Sequence, residues 1–528
     1  MYQPSQPDRT KLPSSCCCGS CPPDGAWSRR EFFTAAAAAA GTAPLATLAL
    51  GSTVAGEDAP AQRRQRQQPI RKTLRVQPVF NCHIYKRQPE TSWRVTGAIQ
   101  DEQELRAEED HIRRDLAEMK AAADFPIEIL PLVTVENVEQ AAAVAKGDQD
   151  VTLMYAARRN VPVLEALASG DHWKLMFVRH RSGPLYYMYI GAHTHFLRKR
   201  RDTFAQPGMD VHDIVVDKRE DLLWRLRALA GLKNMLGKRI VAVGGAAGWG
   251  ADGHEAPVRA QKNFRFDIRN VSYEELGQRI RRARENAALV KRCTAEADKY
   301  LSQPGVRLEV PREDVHKAFL LTEVFRDLLD EAQTDAITIN LCMSTIMPVS
   351  GTTACLPLGI LNDEGYLAFC ESDFVVIPAA VLLHYICGKP VFFCNPSLPH
   401  EGIVTVSHCT APRRMDGRTD EPVRIVTHYE SDFGAAPKVD MRKGQEVTVV
   451  NADFSGRRWL GFTAEIADSP FFPICRTQLD LKIRGDWKRL LEEIRGFHWL
   501  LCYGDWLREM GYAVRKAGLD WLAIAPHQ

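Results

Sequence analysis

The feature that most constrains the fold is a change of apolar rhythm at Pro396. Before it, short β-rich runs alternate with helix-length amphipathic stretches. "LRVQPVF" precedes a charged helical stretch over 101–123, "FPIEILPL" precedes "TVENVEQAAAVAKG", and "DVTLMYA" follows. Parallel strands need long crossovers, usually helical, so this order predicts a parallel sheet flanked by helices. "LLWRLRALAGLKNMLG" reads as a helix ending at Gly237, and a second series starts there. It runs through the strand "KRIVAVGG", one long helix over 272–300, the helix "VHKAFLLTEVFRDLLDEA" and the strands "AITINLC" and "GYLAFCES". The buried helix "VVIPAAVLLHYICG" and the strand "KPVFFCN" complete it. After Pro396, "EGIVTVSHC", "VRIVTHYE", "RRWLGFTAEIAD" and "TQLDLKIRG" alternate apolar and polar residues, the pattern of an antiparallel sheet. A helical pattern over 486–518 closes the chain. The expected fold class is α/β: two Rossmann-like doubly wound α/β domains, 73–236 and 237–395, followed by an antiparallel β domain, 396–528.

The region before residue 73 reads as an address. Ser28-Arg29-Arg30-Glu31-Phe32-Phe33 precedes a short run of Ala, Gly, Thr and Leu over 35–50. That run is too short and too weakly apolar for a spanning helix, which needs about 20 residues. The pair of arginines before it looks like a twin-arginine export motif, so 1–55 reads as an export segment. The expected partner is the twin-arginine export machinery, and the expected location is the periplasm or another exported destination. Residues 56–72, rich in Gln, Arg, Pro and Ala, read as a disordered linker. The net charge of +2 gives no reason to expect a nucleic-acid partner. Four of the 14 cysteines fall before the apolar run; the other ten sit mostly in apolar strand-like stretches and are expected as buried free thiols.

Gly248-Trp249-Gly250-Ala251-Asp252-Gly253 matches G-x-G-x-x-G after a strand. A dinucleotide site also needs a helix opening at those glycines. "HEAPVRAQKNF", with Pro257, shows little apolar periodicity, so the motif reads as a flexible loop at a strand's carboxyl end, and a nucleotide-dependent oxidoreductase is the weakest functional reading.

Residues 355–412 carry the chemistry. Glu371 ends one apolar strand, Asn395 the next and His408 a third. Three such ligands at neighbouring strand ends would suit an oxygen/nitrogen metal site. The Cys-Glu-x-Asp element after "LNDEGYLAF", the "GKPVFF" strand, the His-Cys element and "GFHWLLCYGD" resemble, in this order, the C-terminal half of the fucose/arabinose isomerase family. The resemblance spans roughly 335–511, and the N-terminal half agrees in layout only.

That resemblance implies a fucose isomerase-like fold and an aldose–ketose isomerase that binds Mn²⁺ or another divalent metal and acts on a small-molecule sugar through an enediol. It implies Glu371, Asn395, His408 and His498 as the metal ligands, Glu371 also as a catalytic carboxylate, and a homo-oligomer. Asn395 departs from the pattern, because it stands where a second carboxylate is expected and an amide cannot act as a base. Asp373 or Glu401 is the candidate replacement. Asp373 shares the direction of Glu371 if the strand continues and not if a turn begins there. Trp93 and Arg94, after the first strand, and His428, in "THYES", are candidate sugar contacts, as are Arg413 and Arg414, although His428 and the arginines also read as exposed β-domain residues. The alternative function is an exported carbohydrate-binding relative that has lost isomerase activity because Asn395 replaces the carboxylate.

Overall fold

The computed structural model describes residues 71–93, 99–183, 187 and 191–524. The export segment, most of the linker and Arg94 lie outside the described residues. The first sheet is built by β1 (Leu74–Asn81), β2 (Ile127–Ile129), β3 (Val133–Val135), β4 (Val151–Ala156), β5 (Trp173–Val178) and β6 (Ile214–Val216). Its order is β2-β1-β4-β5-β6, with β3 also beside β1, and every pairing is parallel. Asp101 caps the helix Glu102–Ala122 by accepting from Glu104 N at 2.8 Å, which satisfies one of the amides a helix start leaves open.

The second sheet contains β7 (Arg239–Val243), β8 (Asp267–Val271), β10 (Ala336–Ile339) and β11 (Leu367–Cys370), with β9 (Val306–Leu308) lying elsewhere. Its order is β11-β10-β7-β8, again parallel throughout. The chain steps from β7 to β8 on one side and later returns to β10 on the other. Such a reversal opens a crevice at the carboxyl ends of the two central strands, where open α/β sheets hold ligands. The expected helix over 272–300 is two helices, Tyr273–Glu285 and Ala287–Leu301, because Asn286 starts a new one by accepting from Leu289 N.

The third layer is a closed barrel. β12 (Phe392–Pro396), β13 (Ile403–His408), β16 (Glu446–Ala452), β17 (Arg458–Asp468), β18 (Thr477–Arg484) and β19 (Trp499–Tyr503) pair antiparallel in the order β16-β19-β12-β13-β18-β17, and β16 meets β17 to close it. Closure removes the edges that an open sheet would expose. β20 (Asp520–Ile524) adds in parallel to β17, and β14 (Val423–His428) and β15 (Phe433–Val439) form a hairpin beside β9.

Two expectations change. "KPVFFCN" does not finish the second parallel sheet; as β12 it belongs to the barrel, antiparallel to β13 and β19. Its residues alternate between two cores: Phe392 and Cys394 pack with the barrel's apolar interior, while Phe393 packs in the cluster shared with the helices. A fully apolar strand looks the same in a parallel sheet and in a strand buried on both faces, so periodicity could not separate them. The closing helix is interrupted too. It becomes Trp487–Glu493, then β19, then Leu507–Lys516, with Gly496 (φ 68°) and Gly504 (φ 102°) making the left-handed turns between them.

Candidate metal centre

At the carboxyl end of β11 the strand stops abruptly. Glu371 has φ 63° and Ser372 φ 46°, left-handed values that cost free energy in residues with a Cβ. This turn throws Glu371 toward the barrel. His408, the last residue of β13, sets Nε2 3.5 Å from Glu371 Oε1. His498, just before β19, sets Nε2 3.3 Å from Glu371 Oε2. Three elements far apart in sequence thus bring one carboxylate and two imidazoles together.

The polar atoms of this cluster are incompletely satisfied. Glu371 Oε2, His408 Nε2 and His498 Nε2 are all buried without a hydrogen-bond partner. Glu371 Oε2 and His498 Nε2 face each other as an ion pair, and His408 Nε2, turned to the other carboxylate oxygen at 3.5 Å, is placed to accept an occupant. The other nitrogen of each ring is engaged. His408 Nδ1 lies 3.1 Å from Thr410 Oγ1, and His498 Nδ1 lies 2.8 Å from Asp373 Oδ2. A histidine fixed through one nitrogen and open at the other is the usual state of a metal ligand or a proton carrier. Glu371 keeps 19% of its side-chain surface accessible, against 4% for His408 and 0% for His498, so solvent reaches the cluster at the carboxylate.

Asp373 is fully buried. Its Oδ2 faces His498, and its Oδ1 accepts from Trp249 N and Val375 N, both at 3.1 Å. The turn at Glu371 therefore separates the roles of the two carboxylates: Glu371 faces the open atoms, and Asp373 orients His498 from behind.

The glycine loop supports this arrangement. It is not a loose loop: Ala247 bridges Asp373 and accepts from Phe374 N at 3.1 Å. A Cβ on Gly248 would stand 2.5 Å from Gly253 O, so the loop's tight fold requires glycine there. Contrary to the sequence reading, a helix does follow, since a 3₁₀ turn over Gly253–Glu255 runs into the helix Ala256–Phe264 with Pro257 in its first turn, where proline is tolerated. Trp249 stacks on Phe497 with centroids 4.5 Å apart, and His498 packs against Phe393 at 4.3 Å. These rings wall His498 off from water.

Burial works to raise the Glu371 carboxyl, but the imidazoles of His408 and His498 outweigh it and hold it well below the usual carboxylate range. Burial works to lower His498, yet its contacts with Asp373 and Glu371 raise it to about 9. Without a bound ion, His498 then stabilises the fold fully below its unfolded value of about 6.5, and that contribution is lost as pH rises toward 9. The depressed Glu371 contributes above its unfolded value and loses that contribution as pH falls. Denaturation of chelated protein should show stability declining from pH 6.5 to 9, with the decline absent in His498→Gln; an unchanged slope in that variant would contradict the charged pair.

The remaining site expectations divide. Asn395, half-buried near the end of β12, makes no side-chain hydrogen bond among the described residues; continuing the β12–β19 register places it across from His498. His428 is buried rather than exposed and lies close enough to feel the charge of His408 and Glu371; burial first, then His408 and Arg476, lower it to about 4. Arg413 is buried on Glu421 O and Gln303, and Arg414 binds Asp363, so neither is an exposed sugar contact. Glu401 is exposed in the turn at the far end of β13 from His408. Trp93 is half-buried in the segment after β1.

Cys370 was missed as a site residue. Its Sγ, a Glu371 oxygen and a His408 nitrogen lie within 4.8 Å of one another. No other trio of His, Cys, Asp or Glu among the described residues meets that test, including any with His498. The signal was the Cys-Glu dipeptide itself, hidden because consecutive strand residues normally face opposite ways.

No family model matches the chain, and no curated protein matches it. A solved structure described as a conserved domain protein from Vibrio cholerae O1 biovar El Tor is similar at 12% identity over 57% of this chain and 89% of that one, with a TM-score of 0.16. A likeness this low carries no argument.

Proposed function

We propose that the chain is a metal-dependent aldose–ketose isomerase, fucose isomerase-like in fold, whose divalent ion is held by Glu371 and His408. The observation that carries the metal is the meeting of Glu371 Oε1 and His408 Nε2, the latter buried and without a hydrogen bond, at the carboxyl edge of the second sheet. The donor set of carboxylate and imidazole fits Mn²⁺ or a neighbouring ion. The sugar reaction rests on the sequence resemblance. A divalent ion at this place would draw electron density from the substrate's carbonyl and hydroxyl oxygens.

The chain's own residues supply the proton movements. Glu371 turns Oε1 toward His408 and Oε2 toward His498, so one oxygen can serve the ion and the other a substrate proton. Asp373 fixes His498 through Nδ1 and sets Nε2 against Glu371 Oε2, so that the imidazole can hold or release a proton through that carboxylate. This pair takes the place of the carboxylate that Asn395 cannot provide. Trp249, Phe393 and Phe497 exclude water around the imidazole. Export of a folded, metal-loaded chain through Arg29-Arg30 would let the ion be chosen before Cu²⁺ competes for the site.

The test is exchange at carbon. The metal-loaded chain, incubated with a panel of aldoses in D₂O, should introduce deuterium at C2 and yield ketose by NMR. Saturable sugar binding with no exchange for any aldose would replace this reading with that of a binding protein, the outcome Asn395 favours.

A further inference from the structure

We infer that Cys370 is a third ligand of this centre, bound as the thiolate, and that the site therefore selects a thiophilic divalent ion, Zn²⁺, over Mn²⁺. The inference rests on the reading of Glu371 and His408 as ligands and adds to it the identity of the ion. Three observations carry it. The left-handed turn at Glu371 breaks the strand alternation, so Cys370 Sγ and a Glu371 oxygen fall within 4.8 Å of each other and of a His408 ring nitrogen. His408 is buried and its Nε2 has no hydrogen-bond partner, while Thr410 holds the opposite side of the ring. Cys342 Sγ stands 3.4 Å from Cys370 Sγ, and with Cys342 as donor its S–H points at the ligand sulfur. Outer-shell hydrogen bonds of this sort orient ligands and tune the ion they hold.

Ligand softness decides the metal. Mn²⁺ suits carboxylate and water, whereas a thiolate beside an imidazole favours Zn²⁺. Binding exchanges the Cys370 S–H bond for a metal–sulfur bond, and the proton leaves to solvent; no electron is transferred. Cysteine, glutamate and histidine are three protein ligands, which leaves a fourth position open, as in catalytic rather than structural zinc sites. His498 stands outside the trio and remains free to carry a proton.

Cobalt reports the thiolate directly. The full chain loaded with Co²⁺ should show a near-ultraviolet thiolate-to-cobalt charge-transfer band, retained in Cys409→Ser and lost in Cys370→Ser. In Zn²⁺/Mn²⁺ competition, Cys370→Ser should weaken Zn²⁺ by more than the ~10–100-fold that loss of an outer-shell partner costs. X-ray absorption of the zinc-loaded wild-type chain should find one sulfur at about 2.3 Å, a measurement independent of how any variant folds. Stoichiometric metal with only oxygen and nitrogen neighbours would overturn the thiolate and leave the Glu371–His408 centre standing. Failure of the wild-type chain to bind cobalt or zinc would overturn both.

Discussion

Asp373→Ala should lower the stability of the metal-free protein at pH 6 by up to about 3–5 kcal/mol, the cost of leaving a buried charge wholly without a partner, reduced because Glu371 still faces His498 Nε2 at 3.3 Å. His498 is completely buried, and its Nδ1 rests 2.8 Å from Asp373. The aromatic wall of Trp249, Phe393 and Phe497 offers no replacement for that carboxylate. Part of the loss comes from Trp249 N and Val375 N, which also depend on Asp373. The two parts separate by pH. The charge-dependent part fades above pH 9, where His498 is neutral, and the backbone part does not. Asp373→Asn keeps an acceptor for the two amides and isolates the charge. Chemical denaturation at the two pH values measures both, and an equal loss at pH 6 and above pH 9 would contradict a charged Asp373–His498 pair.

Glu371→Gln should reduce deuterium exchange into the substrate by about 10²–10⁴-fold, the range typical for removing a positioned acid/base group. The change is nearly isosteric, yet it removes the charge that both imidazoles face. The fold should survive it, because the main strain at this position, the left-handed φ of 63°, is in the backbone and is shared by both side chains. Exchange within threefold of wild type would show that the proton travels by another group.

Layer architecture was legible in the sequence because strand and helix periods differ so plainly before and after the barrel begins. Its boundary was not. Phe392, Phe393 and Cys394 are apolar on both faces, since one face fills the barrel and the other meets the helical core, and such a run has no period to read. β19 was hidden inside a helical pattern because Trp499, Leu501 and Tyr503 face inward while Leu500 and Cys502 face the other core.

At the site, Glu371 and His408 were recognisable as residues at strand ends, whereas His498, inside a stretch that read as helix, was reached only through the family resemblance. The separate duties of Glu371 and Asp373 were not, since they depend on whether a turn starts at one residue, and φ is invisible in a sequence. Trp249 was missed for a similar reason. Its polar contribution is a backbone N–H to Asp373, which any residue type could have supplied, and its ring reaches His498 only through the fold. Cys370 needed the same turn to become a neighbour of Glu371 rather than its opposite.

Metal content is the most direct measurement of the central claim. The full chain, dialysed against Zn²⁺ or Mn²⁺ and analysed by elemental mass spectrometry, is expected to retain one ion per chain, and Glu371→Ala and His408→Ala are each expected to retain none. One ion per chain in both variants would contradict a centre built on Glu371 and His408.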